Sequence, residues 1–212
     1  ARRNPESGPI NSAARAGAPG KFVTLSLGVT HYELSPPVGR PDTGRVVVLV
    51  HGFSVPYYIW DSTVVALTRA GRRVLRYDLY GRGLSDRPDA AYDGPMYDTQ
   101  LRELLDSLRI TQPVDLIGLS FGGFVASHFA VNERKRVKTL TLMDPVSKQR
   151  QLPAILKSPI GPWFFQTMAV PDMAGGQPSD FLHPEKFPDW VDLYKPQMKY
   201  DGFGRSLHRS LL

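Results

Sequence analysis

The chain has 212 residues, 42% hydrophobic and 22% charged, the balance of one globular domain with room for an insertion. It holds no cysteine, which excludes disulfides, thiolate nucleophiles and cysteine-bound metals, and no apolar run approaches the roughly 18 residues of a membrane span. Its net charge of +6 is spread from Arg2, Arg3 and Arg15 through Arg72-Arg73 and Arg134-Lys135-Arg136 to the 195–209 stretch, without the aromatic-interleaved stripe of a nucleic-acid groove, so no nucleic-acid partner is expected.

Residues 1–20 are rich in Ala, Gly, Pro, Ser and Arg and lack an apolar period, which predicts a flexible tail. The first residue is Ala rather than Met, so the chain reads as processed or trimmed. A tail of this kind can follow a removed signal peptide, and the expectation is a soluble protein, with export one option and the compartment left open.

Residues 21–27 alternate and 29–34 follow after Gly28, predicting two strands joined by a tight turn. Residues 45–50, RVVVLV, read as a strand buried on both faces. Residues 60–70 have helical spacing, 73–79 form the next strand, and 97–108 carry Leu101, Leu104, Leu105 and Leu108 on one helical face. A strand at 113–119, a helix at 121–131 and a strand at 137–143 complete an alternation that predicts parallel strands joined by crossover helices, an α/β doubly wound sheet. After Asp144-Pro145 the pattern changes. Residues 150–200 are rich in proline and large aromatics, with no evident strand, and read as an insertion covering something. The expected division is a tail at 1–20, an α/β core at 21–146, and the insertion with its exit helix at 147–212.

Three short motifs carry chemistry. Gly118-Leu119-Ser120-Phe121-Gly122 sits where a strand pattern ends and a helix pattern begins. A serine between such glycines can occupy a sharp turn that lifts its hydroxyl above the sheet, with the first helical amides aimed at the same point. Ser120 is then a nucleophile and the Phe121 amide an oxyanion donor. His51-Gly52-Phe53-Ser54 follows the buried strand 45–50, so its Phe53 amide can supply the second donor, with the His51 ring bracing the loop. Asp78-Leu79-Tyr80-Gly81-Arg82-Gly83-Leu84-Ser85 invites a dinucleotide reading. It lacks the third glycine, where Asp86 stands, and follows the second parallel strand, so it reads as a structural turn.

Together "HGFS", "YDLYGRGLSDRP" and "GLSFGG" resemble the α/β-hydrolase family, in the family's order and spacing, over residues 21–212. The resemblance is to esterases and acylglycerol lipases that carry a helical cap. It implies a mostly parallel α/β-hydrolase sheet with an N-terminal antiparallel hairpin, and a cap inserted after the strand ending at Met143. It also implies a Ser-His-acid triad on Ser120, an oxyanion hole from Phe53 and Phe121, and no cofactor or metal. The implied activity is cleavage of carboxylic esters, of small-molecule, lipid or acylglycerol type, through an acyl-enzyme. Relatives that open epoxides or remove halides need Asp where Ser120 stands, which disfavours both activities. The alternatives are a C–C bond hydrolase of the same fold and a non-catalytic binding protein.

In the family the acid and the histidine follow strands beyond the cap, and no Gly-His pair occurs here. The expectation is that the final strands, the triad histidine and its acid lie outside this chain, in a missing C-terminal part of the same hydrolase, and that the 212 residues alone are inactive. His128 lies about 12 Å from Ser120 along their common helix, too far for a base. Asp144 is an alternative acid. Trp163, Phe164, Phe165 and Trp190 are expected to wall an apolar acyl pocket, with Tyr57, Tyr58 and Trp60 at its mouth or in ordinary packing.

Overall fold

The computed structural model describes residues 4–146 and 151–212. Six strands form one sheet in the order β1-β2-β4-β3-β5-β6: β1 Lys21–Leu25, β2 Gly28–Ser35, β3 Val46–Val50, β4 Arg73–Tyr77, β5 Val114–Leu119 and β6 Val137–Met143. The hairpin β1–β2 is antiparallel, β2 also runs antiparallel to β4, and β4, β3, β5 and β6 are mutually parallel. The predicted α/β-hydrolase sheet with an N-terminal hairpin is therefore the observed one.

β3 lies at the centre, and its alternation sorts the core. Val46, Val48 and Val50 face the helices Gly94–Ser107 and Phe121–Asn132, packing with Leu101, Leu104, Leu116 and Val125. Val47 and Leu49 face the other side, packing with Val64 of the helix Asp61–Arg69. Both faces of β3 are dry, as the continuous β-branched run requires. The helix predicted at 97–108 begins earlier, at Gly94, because the Asp93 side chain accepts from the Met96 amide at 3.0 Å and Pro95 pre-sets the first turn.

Residues 151–212 form short helical turns and two longer helices, Trp190–Met198 and Phe203–Arg209. Phe165, Val170, Tyr194, Met198, Phe203 and Leu207 build a separate apolar cluster, on which Phe53 and Val55 of the β3 loop also pack. Phe53 touches the sheet cluster as well, so the two cores meet at this residue. The expected start of the insertion at residue 147 falls at 147–150, outside the described residues.

The flexible tail is a correction. Across residues 4–20 the chain is tied down at several points. Ser7 N–H donates to the Lys199 carbonyl at 2.8 Å and Asp201 N–H to the Gly8 carbonyl at 2.9 Å. The Glu6 carboxylate accepts from the Gly202 and Gly204 amides at 3.0 and 2.9 Å, at the start of the helix Phe203–Arg209. Arg15 pairs with Asp86 at 2.5 Å. The hold comes from polar and main-chain groups, which leave no apolar period for a sequence reading to detect.

Candidate active site

The sharp turn at Ser120 is present and strained. Its φ of 52° and ψ of −116° lie in a region that L-residues avoid, at a cost of about 1–3 kcal/mol that the surroundings must impose. They do so through the backbone. Ser120 N–H donates to the Met143 carbonyl at 2.9 Å, and the Ser120 carbonyl accepts from Gly123 at 2.9 Å and Val146 at 3.2 Å. The flanking glycines are needed for space. A Cβ on Gly122 would lie 2.7 Å from the Val50 carbonyl carbon, and closer to the Val50 and His51 carbonyl oxygens. A Cβ on Gly118 would lie 2.8 Å from the Gly123 Cα. The helix Phe121–Asn132 thus starts in main-chain contact with the end of β3.

That contact brings the two candidate donor loops together. A Cβ on Gly52 would be 3.7 Å from the Ser120 Cβ, so the His51–Ser54 loop borders the serine directly. The Phe53 and Phe121 rings meet edge to face, their centroids 6.0 Å apart. Ser120 itself is half-buried. A helix N-terminus and a tight loop converge on it, the arrangement that favours a developing negative charge.

His51 is fully buried. Its Nε2 accepts from the Leu79 N–H at 2.9 Å, which places the proton on Nδ1, 2.8 Å from the Gly52 carbonyl oxygen. Burial pushes the imidazole down to about 4, so the ring is neutral and bridges the β3 loop to the β4 loop. Behind it, burial opposes the Asp78 charge, but the hydrogen bond and charge of His31, 2.7 Å away, hold that carboxyl below its usual range. Asp78 also accepts from the Tyr57 and Leu84 amides, and Gly83, at φ 50°, wraps so tightly over it that a side chain there would overlap the carboxylate. Gly83 closes over this aspartate and Gly81 packs against Ser206 and Tyr92, within the structural turn that the sequence predicts.

The five histidines are committed elsewhere. His31 contacts Asp78 and the Pro19 carbonyl, His51 the Gly52 carbonyl and Leu79 amide, His128 the Asp98 carboxylate at 2.8 Å, His183 the Glu185 carboxylate at 3.2 Å and His208 the Leu156 carbonyl at 2.8 Å. Asp144 follows β6, whose Met143 is in register with Leu119 and accepts from the Ser120 N–H, so it directly borders the serine turn. It is exposed and has a φ of 44°, a second strained position beside the first. Among the described residues no cluster of His, Asp and Glu has the make-up of a metal site.

The pocket residues divide. Trp60 takes the packing alternative: it is buried in the cluster of Val47, Leu49, Val64 and Val74 under the helix Asp61–Arg69. Tyr58 packs edge to face on Trp190 at 5.2 Å, and Trp190 meets Phe181 at 4.8 Å. Phe165 is buried, Phe164 half-buried, and Trp163 is 65% exposed. Arg82 escaped the sequence reading altogether. It is fully buried and its Nε donates to the Phe53 carbonyl at 2.8 Å. A cation inside a turn that needs only glycines was the available signal.

Comparison with known proteins agrees with this architecture. The sequence model described as "Alpha/beta hydrolase family" matches residues 47–210. A putative non-heme chloroperoxidase from Synechocystis is 36% identical over 104 residues, covering 49% of this chain and 37% of that protein. A 2-hydroxy-6-oxo-2,4-heptadienoate hydrolase from Pseudomonas putida is 36% identical over 112 residues, covering 51% of this chain and 40% of its own length. The matched stretches thus span less than half of each relative. The crystal structure of a probable hydrolytic enzyme from Pseudomonas aeruginosa superposes with a TM-score of 0.75 at 21% identity, covering 96% of this chain and 69% of that one. With the strained serine turn, the main-chain contact behind it and a match over residues 47–210, the chain belongs to the alpha/beta hydrolase family.

Proposed function

We propose that the chain carries the nucleophile of a serine hydrolase acting on carboxylic esters. The observation that carries the reading is the Ser120 backbone, held at φ 52° at a helix N-terminus with Gly52 against its Cβ. In this reading the Ser120 oxygen attacks the ester carbonyl. The carbonyl π electrons move onto oxygen, and the amides of Phe53 and Phe121 donate to that oxyanion. Collapse expels the alcohol and leaves an acyl-serine, which water then cleaves by the same route. A base must take the serine proton and return it to the leaving alcohol. Since all five imidazoles are engaged away from Ser120, we assign the base to residues outside these 212. Asp144 is the local candidate for the carboxylate that orients it. Residues 151–212 serve as the cap, with the Tyr58–Trp190–Phe181 cluster as an apolar wall suited to an acyl chain, small-molecule or lipid.

The Pseudomonas putida relative gives the rival reading its one specific support, a hydrolase named for a ketonic dienoate substrate. Both reactions begin with attack on a carbonyl and differ in the bond broken. A fluorophosphonate probe on the full-length protein is expected to label wild type and spare Ser120→Ala. Turnover of p-nitrophenyl esters in preference to vinylogous diketones is expected to follow. Preference for the diketones would favour the rival, and absence of labelling in wild type would leave a binding protein.

A further inference from the structure

Arg82 is fully buried, yet every partner of its guanidinium is neutral. Nε donates to the Phe53 carbonyl at 2.8 Å. One terminal nitrogen donates to the Tyr80 carbonyl at 3.1 Å and the Tyr97 hydroxyl at 2.8 Å, and the other to the Ser210 hydroxyl at 2.8 Å. The Arg82 Cζ lies 5.5 Å from the centroid of the Phe53 ring and 5.5 Å from that of the Phe121 ring. The Tyr97 ring packs edge-on against Phe121 at 5.6 Å, and its hydroxyl meets Ser210 at 3.2 Å. Burying a cation without a carboxylate is costly, so a fold keeps one where its geometry is needed. Here the geometry is particular. A planar fork with donors on several edges and two usable faces can grip two carbonyls, two hydroxyls and the Phe53 and Phe121 rings at once, which a lysine cannot.

The two residues so gripped are those whose amides the serine-hydrolase reading assigns to the oxyanion. Pinning the Phe53 carbonyl and ring leaves that residue a single orientation, and stacking on Phe121 fixes the first residue of the nucleophile helix. Ser210 ends the helix Phe203–Arg209, so the same fork joins residues 151–212 to the site. We propose that Arg82 is the positioning residue of the oxyanion site: it clamps Phe53 to Phe121 and makes the alignment of their amides depend on the seating of the helix Phe203–Arg209 through Ser210. This rests on the serine-hydrolase reading above.

The test uses full-length Arg82→Gln and Ser210→Ala, with Ser120→Ala as control. Three quantities are measured: kcat and KM on a p-nitrophenyl ester, Ki for an alkyl trifluoromethyl ketone whose hemiketal oxyanion would sit between the two amides, and the melting temperature. A misplaced donor acts on the transition state and spares ground-state binding. Arg82→Gln is therefore expected to lower kcat by about 10- to 100-fold and to raise the ketone Ki in parallel, with KM changed less than about twofold. Ser210→Ala, which removes one hydroxyl and leaves the guanidinium in place, is expected to show a smaller loss of the same kind at near-native melting temperature. It carries the test if Arg82→Gln fails to fold. A lowered melting temperature with kcat and ketone Ki unchanged in the folded variants would mark a structural brace and overturn the proposal. Ser120→Ala separates the two ideas. If it abolishes turnover while the other variants match wild type, only the role of Arg82 falls. If it retains turnover, the serine reading itself falls.

Discussion

Gly122→Ala adds one methyl group at the point where the helix Phe121–Asn132 meets β3. The new Cβ would stand 2.7 Å from the Val50 carbonyl carbon, short of the ordinary 3.4 Å contact by 0.7 Å, and its other close neighbours are the main-chain oxygens of Val50 and His51. No flexible side chain is available to yield, so the helix start must move off the strand by a large fraction of an ångström. Overpacking of this kind costs about 1–3 kcal/mol, partly offset by up to about 1 kcal/mol of helix propensity gained over glycine. The displacement also carries the Phe121 amide and the Ser120 hydroxyl away from the Phe53 amide. A misplacement approaching 1 Å costs up to about a hundredfold in rate. Gly175→Ala is the control, because nothing lies within 4 Å of its Cβ position. Urea unfolding gives the stability change, and the rate of fluorophosphonate labelling of the full-length protein gives the site geometry. Wild-type labelling in Gly122→Ala, with an unfolding midpoint equal to that of Gly175→Ala, would refute the claim that main-chain contact between β3 and the helix sets the nucleophile.

Stability should fall in acid, in two stages. Because burial holds His51 down to about 4, the unfolded chain takes up its proton at a higher pH than the folded one. The stabilisation is complete above pH ~6.5 and declines toward pH 4 by about 3 kcal/mol. Asp78, held below its usual range, adds a further loss below pH ~3.8; urea midpoints that stay level from pH 7 to 4.5 would contradict the neutral, buried assignment of His51. Glu6→Ala deletes the acceptor of the Gly202 and Gly204 amides. It should cost about 1 kcal/mol and speed tryptic cleavage after Arg15, whereas unaltered protection at Arg15 would mean that the N-terminal segment is held by its other contacts alone.

The legible parts of this protein are those in which a local rule and the global fold demand the same residues. Five β-branched or leucine residues in succession suit only a strand covered on both faces, and β3 is that strand. The two glycines around Ser120 announce crowding on both sides of one turn, and the main chains of β3 and of the helix Phe121–Asn132 supply the atoms that crowd it. For Trp60 the sequence left pocket mouth and packing both open, because proximity in sequence to the 51–54 loop does not decide which face of the sheet a side chain reaches. A short helical turn at Tyr57–Trp60 rotates it to the far side. The N-terminal segment was illegible for a different reason. Glycine and proline composition reports on what a chain cannot build alone, and this segment builds nothing alone; it borrows amides and carbonyls from residues 199–204.

Arg82 joins these two kinds of information. Its turn is legible as a turn, since Gly83 closes over Asp78 and Gly81 against Ser206 and Tyr92 whichever residue stands between them. Which residue stands there is decided from outside the motif, by Phe53 in one loop, Phe121 at the start of the helix Phe121–Asn132 and Ser210 some 128 residues away in sequence. A residue selected by three separated partners leaves no periodic or local mark, and it is costly to bury unless all three are present. The strain at Ser120 has the same origin. A backbone at φ 52° persists because the ends of β3 and β6 over-determine it. Two of the three non-glycine positions at positive φ among the described residues, Ser120 and Asp144, therefore stand side by side, and the buried Arg82 grips Phe53 and Phe121 next to Ser120; that coincidence is the strongest physical ground for reading the place as a site.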